Sequence, residues 1–449
     1  VLYARLQEEH IDVFARKSRE EYDAHIARFK ASIHGPVPRT DFHLILQDAM
    51  AFGRIGHAKT EAVMGDVIAH VQAGGSIVPL SVTYRDGQMI TDNWASPDDD
   101  ALPPGSRITK LGGLSVGQFE ARLRPVISAD TDRLFRSQIE LLMPGFLHVV
   151  FGSVDALQVD YLDPEGRTGS HVVAAMDLQA MYAMQDERAL PRPPRDPSER
   201  VFRDLGNQLF YLQPGSFYAK EEERGDHGGD YEIGPFKAFV EEAFAALAES
   251  GARNLIIDLR NNPEGDASFS DLIIARLADR PYRFSSRYEI RAGRNTKESW
   301  AGRSYDPDTL LGRISRAIEA AEVGERVTVE LPDVQPITSN AFDGKVWVLI
   351  DKHSYSNAAV IEALMQDLDI GTIVGEEPAD LATTYGAVER FSLLNSGAAI
   401  VYPKAYMVRP SGDETVRGVV PDIPIGPNPV AERRDLMIEA AIELASRSD

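Results

Sequence analysis

The chain has 449 residues, 43% apolar and 26% charged, which are the proportions of an ordinary globular protein. That length exceeds what one core organises, so about two to four domains are expected. Forty-seven basic against 69 acidic residues leave a net charge of −22, which opposes approach to nucleic-acid phosphates or an anionic membrane, and neither is expected as a partner.

The absence of cysteine excludes disulfides, thiolate catalysis and Cys-ligated zinc. No His, Asp and Glu set has metal-ligand spacing, and neither a metal nor another cofactor is expected. No apolar run reaches the roughly 18 residues that a membrane-spanning helix needs.

Residues 1–72 read as a helical region. "EEHIDVFARKSREEYDAHIARFKASI" places Ile11, Phe14, Tyr22, Ile26 and Phe29 at mostly helical intervals, and "DFHLILQDAMAFGRIGH" resumes the pattern after Pro36 and Pro38. From residue 73 to 185 the period changes to short strands. "SIVPLSVTYRDGQMITDN" alternates around Asp86-Gly87, a hairpin signal. "LPPGSRITKLGGLSVGQFEARL" reads as strand, Gly112-Gly113 turn, strand and short helix. A small strand-dominated module of this kind suits peptide capture by strand addition, or is a plain packing domain.

"DERALPRPPRDPSER", residues 186–200, carries four prolines and mixed charge and reads as a linker. Residues 201–449 then read as an α/β core. "NQLFYLQ", "GPFKAFVEEAFAALAESG" and "NLIIDLR" form a strand, a helix ending at Gly251 and a strand, with the near-continuous apolar strands of a parallel sheet. Residues 281–343 interrupt this pattern with a basic stretch, a helix around "LLGRISRAIEAAEV" and a polar loop. The pattern resumes at Val346, and a helix in "AERRDLMIEAAIELASRS" closes the chain.

The stretch "VWVLIDKHSYSNAAVIEALMQD" joins a buried strand to an amphipathic helix through a Ser-Tyr-Ser-Asn turn. Ser356 in front of a helix reads as an N-cap. The same position, at the carboxyl edge of an α/β sheet, presents a hydroxyl where such sheets hold their sites, with the N–H of Asn357 beside it.

This segment resembles the nucleophile region of the C-terminal-processing and tricorn-core serine peptidases, with the nucleophile on Ser356 and not Ser354. "LIIDLRNNPEG" is similar to that family's Asp-Leu-Arg-x-Asn-x-Gly-Gly loop, and "GVVPDIPI" to its Gly-Val-x-Pro-Asp-Ile close. Together these pieces carry the resemblance over about residues 40–425. It implies a multidomain α/β (α+β) protein: an N-terminal helical part, a PDZ-like β domain, and a βαβ-containing peptidase core. It also implies a serine endopeptidase or carboxyl-terminal processing activity on peptide or unfolded protein substrates.

One branch of the family takes its base from a Lys about 25 residues after the Ser. That position here is Leu381. The tricorn-like branch uses a His from the N-terminal part, and "FGRIGHAKTE" puts it on His57, which by itself reads as a partner of a helix C-terminus. His353, nearer in sequence, reads as a surface or hinge residue. The resemblance implies a third group before the Gly-Val motif, and Glu414 is its candidate, or else a solvated loop carboxylate. The expected oxyanion donors are the N–H groups of Asn357 and Gly265, with Glu264 standing where the family has its first glycine. That departure keeps a second reading open, an attenuated member that binds peptides or small hydrophobic molecules. The sequence opens at Val1 without a signal-like segment, and a periplasmic or secreted location with the targeting sequence already removed is the expectation.

Overall fold

The computed structural model describes residues 1–92, 101–188, 196–224, 232–263, 265–430 and 432–447. The chain divides into two compact units, one formed by 1–190, 387–403 and 429–433, the other by 191–386, 404–428 and 434–449. No helix among the described residues is long and apolar enough to cross a membrane.

The first unit begins with helices Leu2–Glu9, Arg19–Ser32, Arg39–Ala51 and Ala62–Gln72. Ser18 and Glu21 form a reciprocal capping box that starts the second of these. The stripe read from the sequence is interrupted: Ile11 and Phe14 lie in the turn between the first two helices, while Tyr22 and His25 make the buried face.

A six-stranded antiparallel sheet follows, ordered Val82–Arg85, Gln88–Thr91, Arg107–Leu111, Ala156–Leu162 and Thr168–Ala174, with Leu114–Ser115 paired to Arg107–Leu111. Both hairpins expected from the sequence form. Asp86 and Gly87 take φ of 50° and 76°, and Gly112 and Gly113 take 52° and 82°, so each tight turn has two left-handed residues matched to the strand twist. The short helix Val116–Leu123 starts on a second capping box, Ser115 with Gln118.

The strand-period reading of this region misses a 20-residue helix, Asp132–Phe151. Its buried stripe is Leu134, Phe135, Ile139, Met143, Phe146 and Leu147. Pro144 lies inside it, and the chain absorbs the proline by opening Leu142 to φ −122° and ψ 22° and then continues as helix.

The second unit is built on a six-stranded sheet ordered Ile423–Pro424, Thr372–Gly375, Lys345–Ile350, Asn254–Asp258, Leu209–Gln213 and Val201–Asp204. All neighbours are parallel except the last pair. Both faces are buried, which is why the strands read as unbroken apolar runs. Phe210, Leu212, Leu255, Ile257, Val346, Val348 and Ile350 face helices Gly234–Ser250, Ala267–Leu277 and Asn357–Asp367. Tyr211, Ile256, Trp347 and Leu349 face the closing helix Leu436–Ser446 through Met437 and Ala441.

Gly251, at φ 63° and ψ 40°, ends the first of these helices in the left-handed cap expected of it. Within 281–343 the expected helix is Leu310–Ala320. Two strands accompany it, Arg287–Ala292 and Glu325–Thr328, and the former also pairs with residues 405–408.

Candidate active site

Strand Lys345–Ile350 carries the chain to the carboxyl edge of the parallel sheet, and seven residues later helix Asn357–Asp367 begins. Ser356 between them has φ 56° and ψ −121°, and its side chain makes no capping hydrogen bond. An L residue in that region costs about 1–3 kcal/mol and persists only where the surroundings over-determine it. Such a sharp strand-to-helix turn lifts a serine hydroxyl away from the sheet, so the ordinary N-cap explanation of Ser356 does not hold.

Ser354 is different in kind. It is 1% exposed and its Oγ donates to the Leu259 carbonyl at 3.0 Å, a packing role. Asn357 opens the helix, buried, with no partner for its Nδ2 among the described residues. Ala358 and Ala359 behind it are fully buried.

Two carboxylates hold this turn, and a third lies buried beside it. The Asp351 carboxylate accepts the N–H of His353 at 3.1 Å and the N–H of Asn261 at 2.9 Å, the latter from the neighbouring loop. Asp380 accepts the N–H of Ser356 itself at 2.7 Å. Glu362 lies within the helix at zero exposure, and burial pushes its carboxyl well above the usual range. The Asp351 and Asp380 charges push it further up, against the opposing hydroxyl of Ser354.

The loop after strand Asn254–Asp258 is fixed by a buried ionic cluster. The Arg260 guanidinium donates to Asp258 Oδ1 at 2.9 Å and Oδ2 at 2.7 Å, and to Asp435 Oδ1 at 2.9 Å and Oδ2 at 2.8 Å. Tyr211 adds its hydroxyl to Asp258 at 2.9 Å. Asp435 also caps the closing helix through the N–H of Ile438, so the Asp-Leu-Arg motif ties the loop to the C-terminal element.

Asn262, 2% exposed, donates its Nδ2 to the Gly215 carbonyl at 2.7 Å and accepts the Tyr355 N–H on its own carbonyl at 3.0 Å. The loop and the Ser356 turn are thereby held side by side. Gly265 sits against Phe217, where a Cβ would come within 2.1 Å of the Phe217 Cβ, so no larger residue fits. The bond of that bridge comes from the Asp266 N–H to the Phe217 carbonyl at 2.9 Å, not from the N–H of Gly265. Glu264 lies outside the described residues.

His57 belongs to the first unit. It is 6% exposed, and burial lowers its pKa from 6.5 to about 4, with Lys59 lowering it further and the Asp130 carboxylate opposing both. Asp130 accepts the Gly56 N–H at 2.7 Å and has Arg16 at 3.7 Å. Gly56 is required there, because a Cβ would stand 2.6 Å from Leu134 Cδ2 and 3.2 Å from Asp130 Oδ2. Gln47 joins the two segments: its Oε1 accepts the Thr60 N–H at 2.8 Å and its Nε2 donates to Ser128 Oγ at 3.2 Å.

Glu414, in the second unit, is half-exposed and engaged by Arg287 at 2.7 Å and by the Tyr406 hydroxyl at 2.8 Å. Of the residues named from sequence, the structure brings together Ser356, Asn357 and the loop that ends at Gly265. It places the Asp130 carboxylate on the N–H of Gly56, where its charge acts on His57, and it gives Glu414 to Arg287 and Tyr406. The sequence reading missed Asp130, Asp351, Asp380 and Glu362. Asp380 adjoins Leu381, the position at which the Ser-Lys branch carries its lysine. Asp130 is 73 residues from His57 and no local pattern links them.

Residues 231–425 match the model of peptidase family S41. No curated protein sequence matches the chain. Among solved structures, mature CPAF complexed with lactacystin is 14% identical, with 94% of this chain and 92% of that one covered at a TM-score of 0.65. Mature CPAF is 15% identical over 94% and 90% of the two chains, also at 0.65. A candidate peptidase from Parabacteroides merdae is 14% identical over 99% and 94%, at 0.50. At these identities the structural likenesses establish the fold.

Proposed function

We propose, on the match of residues 231–425 to the model of peptidase family S41, that the chain is a serine-type peptidase of that kind with Ser356 as its nucleophile and His57 as its general base. The Ser356 Oγ attacks the scissile carbonyl carbon while His57 takes the hydroxyl proton, and the carbonyl π pair moves to oxygen. The N–H groups of Asn357 and Gly265 hold that oxyanion. Collapse breaks the C–N bond, the leaving amine takes the proton from His57, and water repeats the sequence on the acyl ester. The substrate is a peptide or an unfolded protein, with processing from the carboxyl end as the expected mode.

The observation that carries this reading is the conformation of Ser356. Its strained φ and ψ, its unused capping hydroxyl and its half-buried side chain are what a nucleophile turn requires and what an N-cap does not. A neutral His57 is in the state that accepts a proton. For the group that supports the protonated imidazole, Asp130 is favoured over Glu414 because its charge acts on His57 while Glu414 is engaged by Arg287 and Tyr406.

Labelling the protein with an alkyl fluorophosphonate and mapping the modified residue tests the assignment. Modification at Ser356, lost in Ser356→Ala and strongly slowed in His57→Ala, is expected. Wild-type protein that hydrolyses peptides but is modified elsewhere refutes it.

A further inference from the structure

The left-handed backbone of Ser356 needs a cause, and the surrounding bonds identify one. The Ser356 N–H donates to Asp380 Oδ2 at 2.7 Å, and the other oxygen, Oδ1, accepts the N–H of Leu381 at 2.8 Å. Asp380 is completely buried. A carboxylate inside a protein is costly unless donors satisfy it, so this geometry is expected to be held firmly once formed. The charge also lies at the N-terminal end of helix Asn357–Asp367, where the helix dipole favours it.

The loop that carries Asp380 is itself built onto the strand that carries Ser356. Glu376 donates its N–H to the Ile350 carbonyl at 3.1 Å and Ala379 donates to the Lys352 carbonyl at 3.1 Å. Ala382 donates to Arg417 at 3.1 Å, one residue before Gly418. A Cβ on Gly418 would stand 2.3 Å from the Pro378 carbonyl oxygen and 3.0 Å from that of Asp380. The glycine of the "GVVPD" segment therefore lets the chain close against this loop and fix the height of Asp380.

We propose that Asp380 is a positioning residue for the nucleophile, a buried carboxylate that locks the Ser356 backbone in the conformation that presents its hydroxyl. The assignment rests on the serine-peptidase reading of Ser356. Leu381 stands where the Ser-Lys branch of the family carries its base, so in this chain the same loop serves the nucleophile through its backbone instead of supplying a proton acceptor. Without Asp380 the Ser356 N–H is left unpaired inside the protein, and the turn relaxes toward an ordinary negative φ. A displacement of about 1 Å at a reacting atom costs on the order of 10²-fold in rate.

The test uses the full chain with Asp380→Ala, Asp380→Asn and wild type. Each is titrated with an alkyl fluorophosphonate to give two quantities, the fraction of molecules that label at Ser356 and the second-order rate constant of those that do. The expected result is a rate constant per labelling site about 10²-fold lower in Asp380→Ala, and about tenfold lower in Asp380→Asn, which keeps an acceptor for the Ser356 N–H. A purely structural role lowers the fraction and leaves the rate constant of the remaining molecules alone. Rate constants within about twofold of wild type in both variants thus overturn the proposal, whatever happens to the fraction. If Asp380→Ala does not fold, the near-isosteric Asn variant decides by the same criterion. Failure of the wild type to label at Ser356 refutes the peptidase assignment and this inference together, whereas a reactive wild type with unchanged variants refutes the inference alone.

Discussion

The burial of His57 makes acid the most informative perturbation of this protein. Its pKa of about 4 in the folded chain compares with 6.5 when unfolded, so between those values the unfolded state binds the proton and the folded state does not. Stability therefore rises with pH across that window: the contribution is complete above about 6.5 and is lost as the pH falls toward 4. The loss from this one group is about 2 kcal/mol at pH 5 and about 3 kcal/mol at pH 4, of the order of a quarter of a typical domain's stability. Desolvation also lowers His25 and His148, so the acid response of the whole chain is not that of His57 alone. The comparison that isolates His57 is with His57→Gln, which cannot take the charge. Urea unfolding of both proteins at pH 8, 6, 5 and 4.5, with the imidazole Cε1–H resonance followed in parallel, gives the measurement. The wild type is expected to lose the stated increment relative to the variant, and the resonance absent from His57→Gln is expected to titrate well below 6.5. Parallel stability curves, or a midpoint at or above 6.5, refute the buried neutral imidazole on which the general-base role is argued.

Further outcomes follow from the same geometry. Asp130→Asn removes a charge that raises the His57 pKa, so the acid limb of kcat/KM should move to lower pH and kcat fall by roughly tenfold or more, while Glu414→Gln should stay within about threefold of wild type. A reversed pattern in the two variants returns the orienting role to Glu414. Glu362 binds its proton more tightly folded than unfolded, so it costs stability progressively as the pH rises above about 4.5. Glu362→Gln should therefore lose less stability than wild type between pH 5 and 8, and identical curves would refute the upward shift of Glu362. Ser356→Gly relieves the strain at φ 56° and should raise stability by about 1 kcal/mol in thermal unfolding while abolishing fluorophosphonate labelling; a destabilised variant argues against a strained turn.

The elements most legible in the sequence are those whose cause is local. Strands Asn254–Asp258 and Lys345–Ile350 announce themselves because both of their faces are buried, and Gly251 and the Asp86-Gly87 and Gly112-Gly113 pairs because left-handed backbone selects few residues. Helix Asp132–Phe151 was hidden because Pro144 mimics a break, and whether a proline ends a helix or bends it depends on the packing around it.

The choice of Ser356 over Ser354, and of His57, came from the resemblance of their neighbours to family motifs. The sequence did not reveal why those neighbours are there. Gly56 is small because Leu134 and Asp130 press on it, Gly265 because Phe217 does, and Gly418 because the loop carrying Asp380 does. Each of those partners is distant in sequence and reaches its place through the tertiary fold. Carboxylates behave the same way. From residue type alone, Asp130, Asp380, Glu362 and Glu414 are equivalent acids. The fold makes the first a neighbour of His57, the second a clamp on a backbone N–H, the third a buried acid with a raised pKa and the fourth a half-exposed ion pair. Charge state and hydrogen-bond partner are properties of surroundings, and only the folded chain creates those surroundings.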